Sequence, residues 1–410
     1  MPEDTSTLEL RLAGSKCADL YPWDLLLEEG FSRLYRAKLT AISDQKHTIE
    51  ELSSLVDNKI TVIINEKLID RKTTRTRYLH GIVTGAGSAG VFCSGIKKDC
   101  YIYEFIIEPA LSRLKFTRLS APYYNMNPAD IFEQITAKYN IKSQIEGKYL
   151  SRGEYSKKLM FDQSGLSDID FIERIAGMYG LSYTFTHPAV SDSALGTESL
   201  YFSSGEKFPV SDIVYSDKRK EPDIAQFDFL SADEANNLWR MDKFNISNKI
   251  GVDGLKLDAV YPSANYGSEQ WKQGKTAAGC RCVHYQGLFH GYEVNTETGE
   301  IDDDIKKILT AQSCAVNIAK TKISGAAANM GMRPGLILEL RHFYGAADKT
   351  VNMILLTGIK LHSRARWRPD LAILPEASGG EVNELEFSGI DWRQGALKRF
   401  CPPALTQPID

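Results

Sequence analysis

No stretch of about 18 apolar residues occurs in this 410-residue chain, which argues against a membrane-spanning helix. A secretory leader is missing too. The opening MPEDTSTLELRLAG has acids where a leader carries bases, and no apolar core follows, so synthesis and folding in the cytoplasm are expected. An excess of one charge is also lacking: the formal net charge is −4, leaving no electrostatic case for nucleic acid. Cysteine is sparse. Its seven copies (Cys17, Cys93, Cys100, Cys280, Cys282, Cys314 and Cys401) are an odd number spread over the whole length. That is the usage of a reducing compartment, where free thiols pack as small apolar groups, and no disulfide is expected. Catalytic signatures are absent: there is no GxSxG turn, no HExxH helix and no Walker-type phosphate loop. Acidic residues are numerous, but sequence alone does not pair them in space. No catalytic, cofactor-binding or metal-ligating residue is therefore assigned.

What is present is an ordinary globular composition, 43% hydrophobic and 25% charged, in a chain long enough for two to four structural units. From Leu8 to Pro109 the pattern is mostly strand. Leu8, Leu10 and Leu12 alternate with polar residues, as do Tyr35, Ala37, Leu39 and Ala41; Ile60–Ile64, Tyr78–Val83 and Tyr101–Ile107 are β-branched and aromatic runs. Several short strands of this kind suit a barrel or sandwich. Between Ala110 and Pro188 the period becomes helical. Asn127 and Pro128 start one helix carrying Ile131, Phe132, Ile135 and Tyr139. Ser167 caps a second, with Asp170 expected to complete a capping box and Gly180 to stop it before a strand to His187. Farther on, Leu200–Tyr215 reads as a hairpin, and Phe227–Leu230, Leu238–Ile246 and Leu255–Tyr261 as strands. A long helix is expected over Ile301–Ile323, then strands over Met332–Leu340 and Val351–Leu361.

Four features suggest chemistry and are better read structurally. Gly85-Ala-Gly-Ser-Ala-Gly90 has the spacing of a dinucleotide fingerprint, but strand-forming residues follow where a helix must begin, so a loop between strands is expected. Cys280, Cys282, His284 and His290 include ligand types zinc prefers, at a spacing tighter than usual; buried thiols beside an edge histidine are the simpler reading. Asp302-Asp303-Asp304 follows a glycine placed one position too early for a calcium loop, and acids at a helix start suit its dipole. Arg364, Arg366 and Arg368 alternate with Ala365 and Trp367, as on a solvated strand face or a subunit contact. His187 and His362 read as hydrogen-bonded histidines at strand ends.

The stretch Tyr155–His187 resembles a segment of the VgrG family of type VI secretion spike proteins and of related hub proteins in contractile phage tails. The matching positions are Tyr155, Ser167, Asp168, Phe171, Arg174, Gly180, Tyr183, Phe185 and His187. Arg77-Tyr-Leu-His-Gly-Ile-Val83, Tyr103–Leu111, Tyr285-Gln-Gly-Leu288, Arg333–Leu340 and Leu355–His362 resemble further family segments in the same order. The resemblance implies an α+β, mostly β hub fold of two similar β-barrels with α/β insertions, assembling as a homotrimer. It implies a first barrel over 1–109, an α/β insertion over 110–190 and a connecting β segment over 191–223. A second barrel is expected from 224–261 with 329–366, interrupted by a helix-containing insertion over 262–328. Residues 367–410 would then form a junction toward a spike, with Lys398–Pro403 similar to the family's Arg-Pro-Pro-like joint and no needle after it. The function implied is structural: a base adapting a sixfold tube to a threefold spike. Its partners would be an Hcp-like tube protein, a spike or needle and baseplate components, with no cofactor, nucleic acid or membrane insertion. It would assemble into a tail or secretion apparatus and could leave the cell with it. Two alternatives stand beside it. One is a cell-wall hydrolase or effector carried by such a machine; the other is a carbohydrate-binding β-protein using Trp239 and Trp392.

Overall fold

The computed structural model describes residues 6–13, 19–67, 73–92, 100–145, 159–191, 194–203, 213–218, 224–228, 241–248, 254–260, 266–272, 282–288, 321–327, 331–341, 353–365 and 382–391. The first half is built from β1 (Ser6–Leu12), β2 (Tyr21–Gly30), β3 (Arg33–Ser43), β4 (Lys59–Lys67), β5 (Thr74–Phe92) and β6 (Cys100–Glu108), with helix α1 (Ile49–Ser53) after β3. All pair antiparallel in the order β1–β4–β5–β6–β3–β2, and β1 lies back against β2, which curls the layer toward a barrel. Alternation explains the register. Tyr35, Ala37, Leu39 and Ala41 of β3 point inward and are buried, as are Leu25 and Leu27 of β2 and Phe105 and Ile107 of β6. Ile60–Ile64 is buried on both faces.

Next come a 3-10 turn (Ala110–Lys115), β7 (Pro122–Met126), α2 (Pro128–Ala137), β8 (Lys142–Ile145), β9 (Leu159–Asp162), α3 (Asp168–Met178), β10 (Ser182–Thr186), β11 (Ser199–Ser203) and β12 (Ile213–Tyr215). Asn127 and Asp130 form a complete capping box on α2. On α3 the Ser167 hydroxyl accepts the Asp170 amide at 3.1 Å and donates to the Asp170 carboxylate at 2.6 Å. The expected reciprocal box is thus only half made. Ser167's backbone is instead bridged to Arg118. Gly180, at φ +68°, ends α3. Leu181 N–H reaches the Ala176 carbonyl at 2.8 Å and Gly180 N–H reaches Gly177, a Schellman stop. This unit has its own core, including Phe132, Phe171, Ile172, Tyr183 and Phe202.

Beyond lie β13 (Ile224–Asp228), β14 (Met241–Asn248), β15 (Gly254–Val260), β16 (Tyr266–Lys272), β17 (Cys282–Leu288), β18 (Thr321–Ala327), β19 (Ile337–Arg341), β20 (Met353–Arg364) and β21 (Val382–Asp391). One edge of β20 is divided: Met353–Leu355 pairs with β19 and Gly358–Arg364 pairs with β2. β21, β18 and β14 follow on the other edge, so both halves share one thirteen-stranded sheet. Their cores are continuous as well, with Leu27 and Phe105 in the same cluster as Ile323, Leu338, Ile354 and Leu361.

Several expectations are corrected. Leu200–Tyr215 is not a hairpin: β11 pairs with β10 and β8, while β12 pairs with β5. The glycines 85–90 are not a loop but the second half of the 19-residue β5, bent by bulges where it pairs with β6. Thr321–Ile323, the expected helix end, begins strand β18; residues 301–320 lie outside the described residues. β15 sits in a separate three-stranded sheet with β16 and β17. β18 and β21, placed by the expected limits in an insertion and a C-terminal junction, belong to the large sheet instead. Periodicity reports that a segment is a strand but not which sheet takes it.

Candidate functional site

The densest buried polar arrangement in the described residues is where the first sheet, the α/β unit and the second half meet. Glu29 stands at an inward position of β2, in phase with Leu25 and Leu27, and is buried. Its carboxylate takes the Arg77 guanidinium, which also donates to the Met332 carbonyl at 2.9 Å in the turn before β19. Arg77 thus ties β2 and β5 to the second half. Three residues on, the His80 backbone N–H donates to His187 Nδ1 at 3.1 Å. The His80 ring meets the Pro188 carbonyl at 2.7 Å through Nε2 and the Thr61 hydroxyl at 3.1 Å through Nδ1. Thr61 also accepts the Gly196 amide at 3.0 Å. The Tyr35 hydroxyl donates to the His80 carbonyl.

Packing forces small residues here. A Cβ on Gly81 would lie 2.7 Å from both the Glu108 carbonyl oxygen and the Tyr35 hydroxyl. One on Gly196 would lie 2.0 Å from the His80 ring. At the tip of the β2–β3 hairpin, Ser32, at φ +48°, donates its amide to the Tyr183 carbonyl at 2.8 Å, and Phe31 donates to Thr357 at 2.9 Å. Burial pushes the His187 imidazole well below its usual pKa, with His80 and Arg77 nearby adding to the effect. Burial also lowers His80, against the Pro188 hydrogen bond that favours its charged form. Tyr35 is raised well above the usual phenol value by burial and then by Glu198, Glu29 and Glu108. The arrangement holds elements together with neutral imidazoles and one compensated ion pair.

Elsewhere, Ser43, His47 and Asp19 bring together the residue types of a hydrolase triad. The Ser43 hydroxyl, however, donates to Asp19, and His47 Nε2 lies 3.1 Å from the same carboxylate. Serine and histidine converge on the acid rather than on each other, which is not the serine–histidine–acid order of a triad. His362 and Arg364 both meet Asp24, at 2.9 and 2.8 Å, and Arg364 stacks over Trp23. Arg366 and Arg368, Cys280 and His290, Asp302–Asp304, Trp239 and Trp392, and Lys398–Pro403 lie outside the described residues. Cys282 and His284 are two places apart on β17. Cys100 is a buried free thiol. Among the described residues no group of three or more His, Cys, Asp or Glu could hold a metal. Glu29, Thr61 and Gly196 were not anticipated. The available signal was a carboxylate in the inward phase of an apolar strand.

The barrel-like sheet carrying an α/β unit, with both locked to a second set of strands, is the fold of solved tail and type VI secretion proteins. Residues 28–216 match the phage tail baseplate hub (GPD) family. A tail protein from Neisseria meningitidis has the same fold, with TM-score 0.60 and 11% identity over 98% of this chain and 99% of that one. An E. coli component of the type VI secretion system, itself described as structurally similar to the T4 tail proteins gp27 and gp5, aligns over 97% of this chain and 80% of its own. Its TM-score is 0.59 and its identity 14%. A Francisella PdpA–VgrG complex aligns at TM-score 0.52 and 12% identity, over 96% of this chain and 58% of that one. The resemblance to VgrG and contractile tail hubs drawn from the sequence is therefore correct. No curated protein matches the sequence significantly.

Proposed function

We infer that this chain is a structural hub of a contractile injection machine, working by assembly rather than by catalysis. The observation that carries this is the baseplate-hub family match over residues 28–216, on a fold shared with tail proteins along nearly the whole chain. The buried Arg77–Glu29 and His80–His187 contacts suit such a role, because they join three parts of the chain into one body. The hub adapts a sixfold tube to a threefold spike as a homotrimer whose protomers present two similar strand modules each. Its neighbours are a tube protein, a spike or needle and baseplate components. Cyclic closure requires two different complementary surfaces per protomer, and mass action makes the assembly concentration-dependent. Sedimentation across a wide concentration range is expected to show a trimer at the upper end. A strictly monomeric or dimeric species throughout would overturn the trimer.

A further inference from the structure

The hydrogen bonds joining the first sheet to the α/β unit have their direction fixed at both ends. A carbonyl only accepts, so His80 Nε2 carries the proton facing Pro188, and in the neutral ring Nδ1 takes the Thr61 hydroxyl. A peptide N–H only donates. The His80 amide therefore requires a bare His187 Nδ1, leaving the proton on Nε2, 3.7 Å from Glu29 Oε1 and without a hydrogen-bond partner. A proton added to Nδ1 would set two donors face to face, and flipping the ring would present the other N–H of the cation. No side-chain rotation repairs this.

We propose that His187 is an acid-sensitive latch: proton uptake at Nδ1 breaks its bond to the His80 amide and releases residues 187–191 and 194–197 from the first sheet while the strands stay folded. Facing the ring are Glu29 from β2, Tyr35 from β3, Arg77 and His80 from β5, and Arg333 from the turn before β19. Arg11 of β1 bears on His80. Glu29 binds Arg77 through Oε2, and its Oε1 stands 3.7 Å from His187 Nε2, on the side of the ring away from the His80 amide. Burial beside Arg77 and His80 keeps the closed ring neutral. A narrow cleft bordered by Glu29, Arg77, Thr184, His187 and Arg333, with room for about one water, lies beside the ring. The released segment is attached by a few polar contacts: His80 to Pro188, Arg11 to Ser191 and Ala194, Thr61 to Gly196, and Lys59 to Thr197. Segments held this way open locally below the global unfolding free energy.

The test is hydrogen exchange of the full chain by mass spectrometry from pH 7.5 to 4.5, corrected for intrinsic rates. Coupling to one proton raises the opening constant about tenfold per pH unit below the open-state value near 6.5. Peptides covering 187–197 are expected to lose protection on that slope while β6 does not. His187→Gln keeps an acceptor for the His80 amide and cannot titrate, so its protection there is expected to stay flat. Constant wild-type protection, or the same loss in His187→Gln, would each overturn the proposal. Should His187→Gln lack native β6 protection at pH 7.5, imidazole nitrogen NMR of the wild type decides. A His187 ring that stays neutral while the segment opens sinks the latch. The latch is decided by the dependence of exchange on His187 and the hub reading by sedimentation, so the two fail separately.

Discussion

Glu29 and Arg77 are both buried, so each is tolerable only because the other is there. Removing the guanidinium with Arg77→Met leaves a buried carboxylate without its cation, a loss of about 3–5 kcal/mol by analogy with other buried pairs. Adding Glu29→Gln removes that orphan charge. The double variant is therefore expected to recover part of the stability, as read by denaturant unfolding of both singles and the pair. Additive losses would show that the two residues act independently. The roles of Arg77, His80 and His187 were partly legible, since all three fall in segments that resemble the hub family. Their partners were not: Glu29 lies 48 residues from Arg77, and His187 lies 107 from His80.

Elements were read best where signals are local. Asn127, Pro128, Ser167 and Gly180 mark α2 and α3 because a cap is made within a few residues of itself. Strand partners were read worst, as the split of β11 from β12 shows. The contact between α3 and β10 gives a pH prediction. Glu173 on α3 accepts the Tyr183 hydroxyl at 2.6 Å, and burial raises its carboxyl above the usual value, partly offset by that bond. A carboxyl raised on folding adds stability below its unfolded pKa of about 4.3, and that contribution is lost as pH rises through the folded value. Glu173→Gln keeps an acceptor without the charge. It is expected to melt higher than wild type at pH 7, with the gap closing near pH 4. A variant equally or less stable at pH 7 would refute this.

On the scale of the whole molecule, β2 and β20 decide the architecture, because their pairing joins two halves far apart in sequence. Leu27 pairs with Ala37 on one side and Leu361 on the other. Leu27→Pro disturbs both ladders and is expected to remove hydrogen-exchange protection from β5 and β20 together. Loss confined to one half would mean that the halves are separately stable. The sequence by itself determined the strand-rich character, the two capped helices and the order of the hub-like segments. Each depends on residue spacing over a few positions, or on motif order along the chain. Only the tertiary structure decided that the Gly85–Gly90 run is strand, that β15 leaves the large sheet and that β18 and β21 join it. It also decided that Glu29 meets Arg77. Those outcomes depend on which strand edge and which charge lie nearest across long sequence separations, and an alternating pattern is the same whichever neighbour takes it.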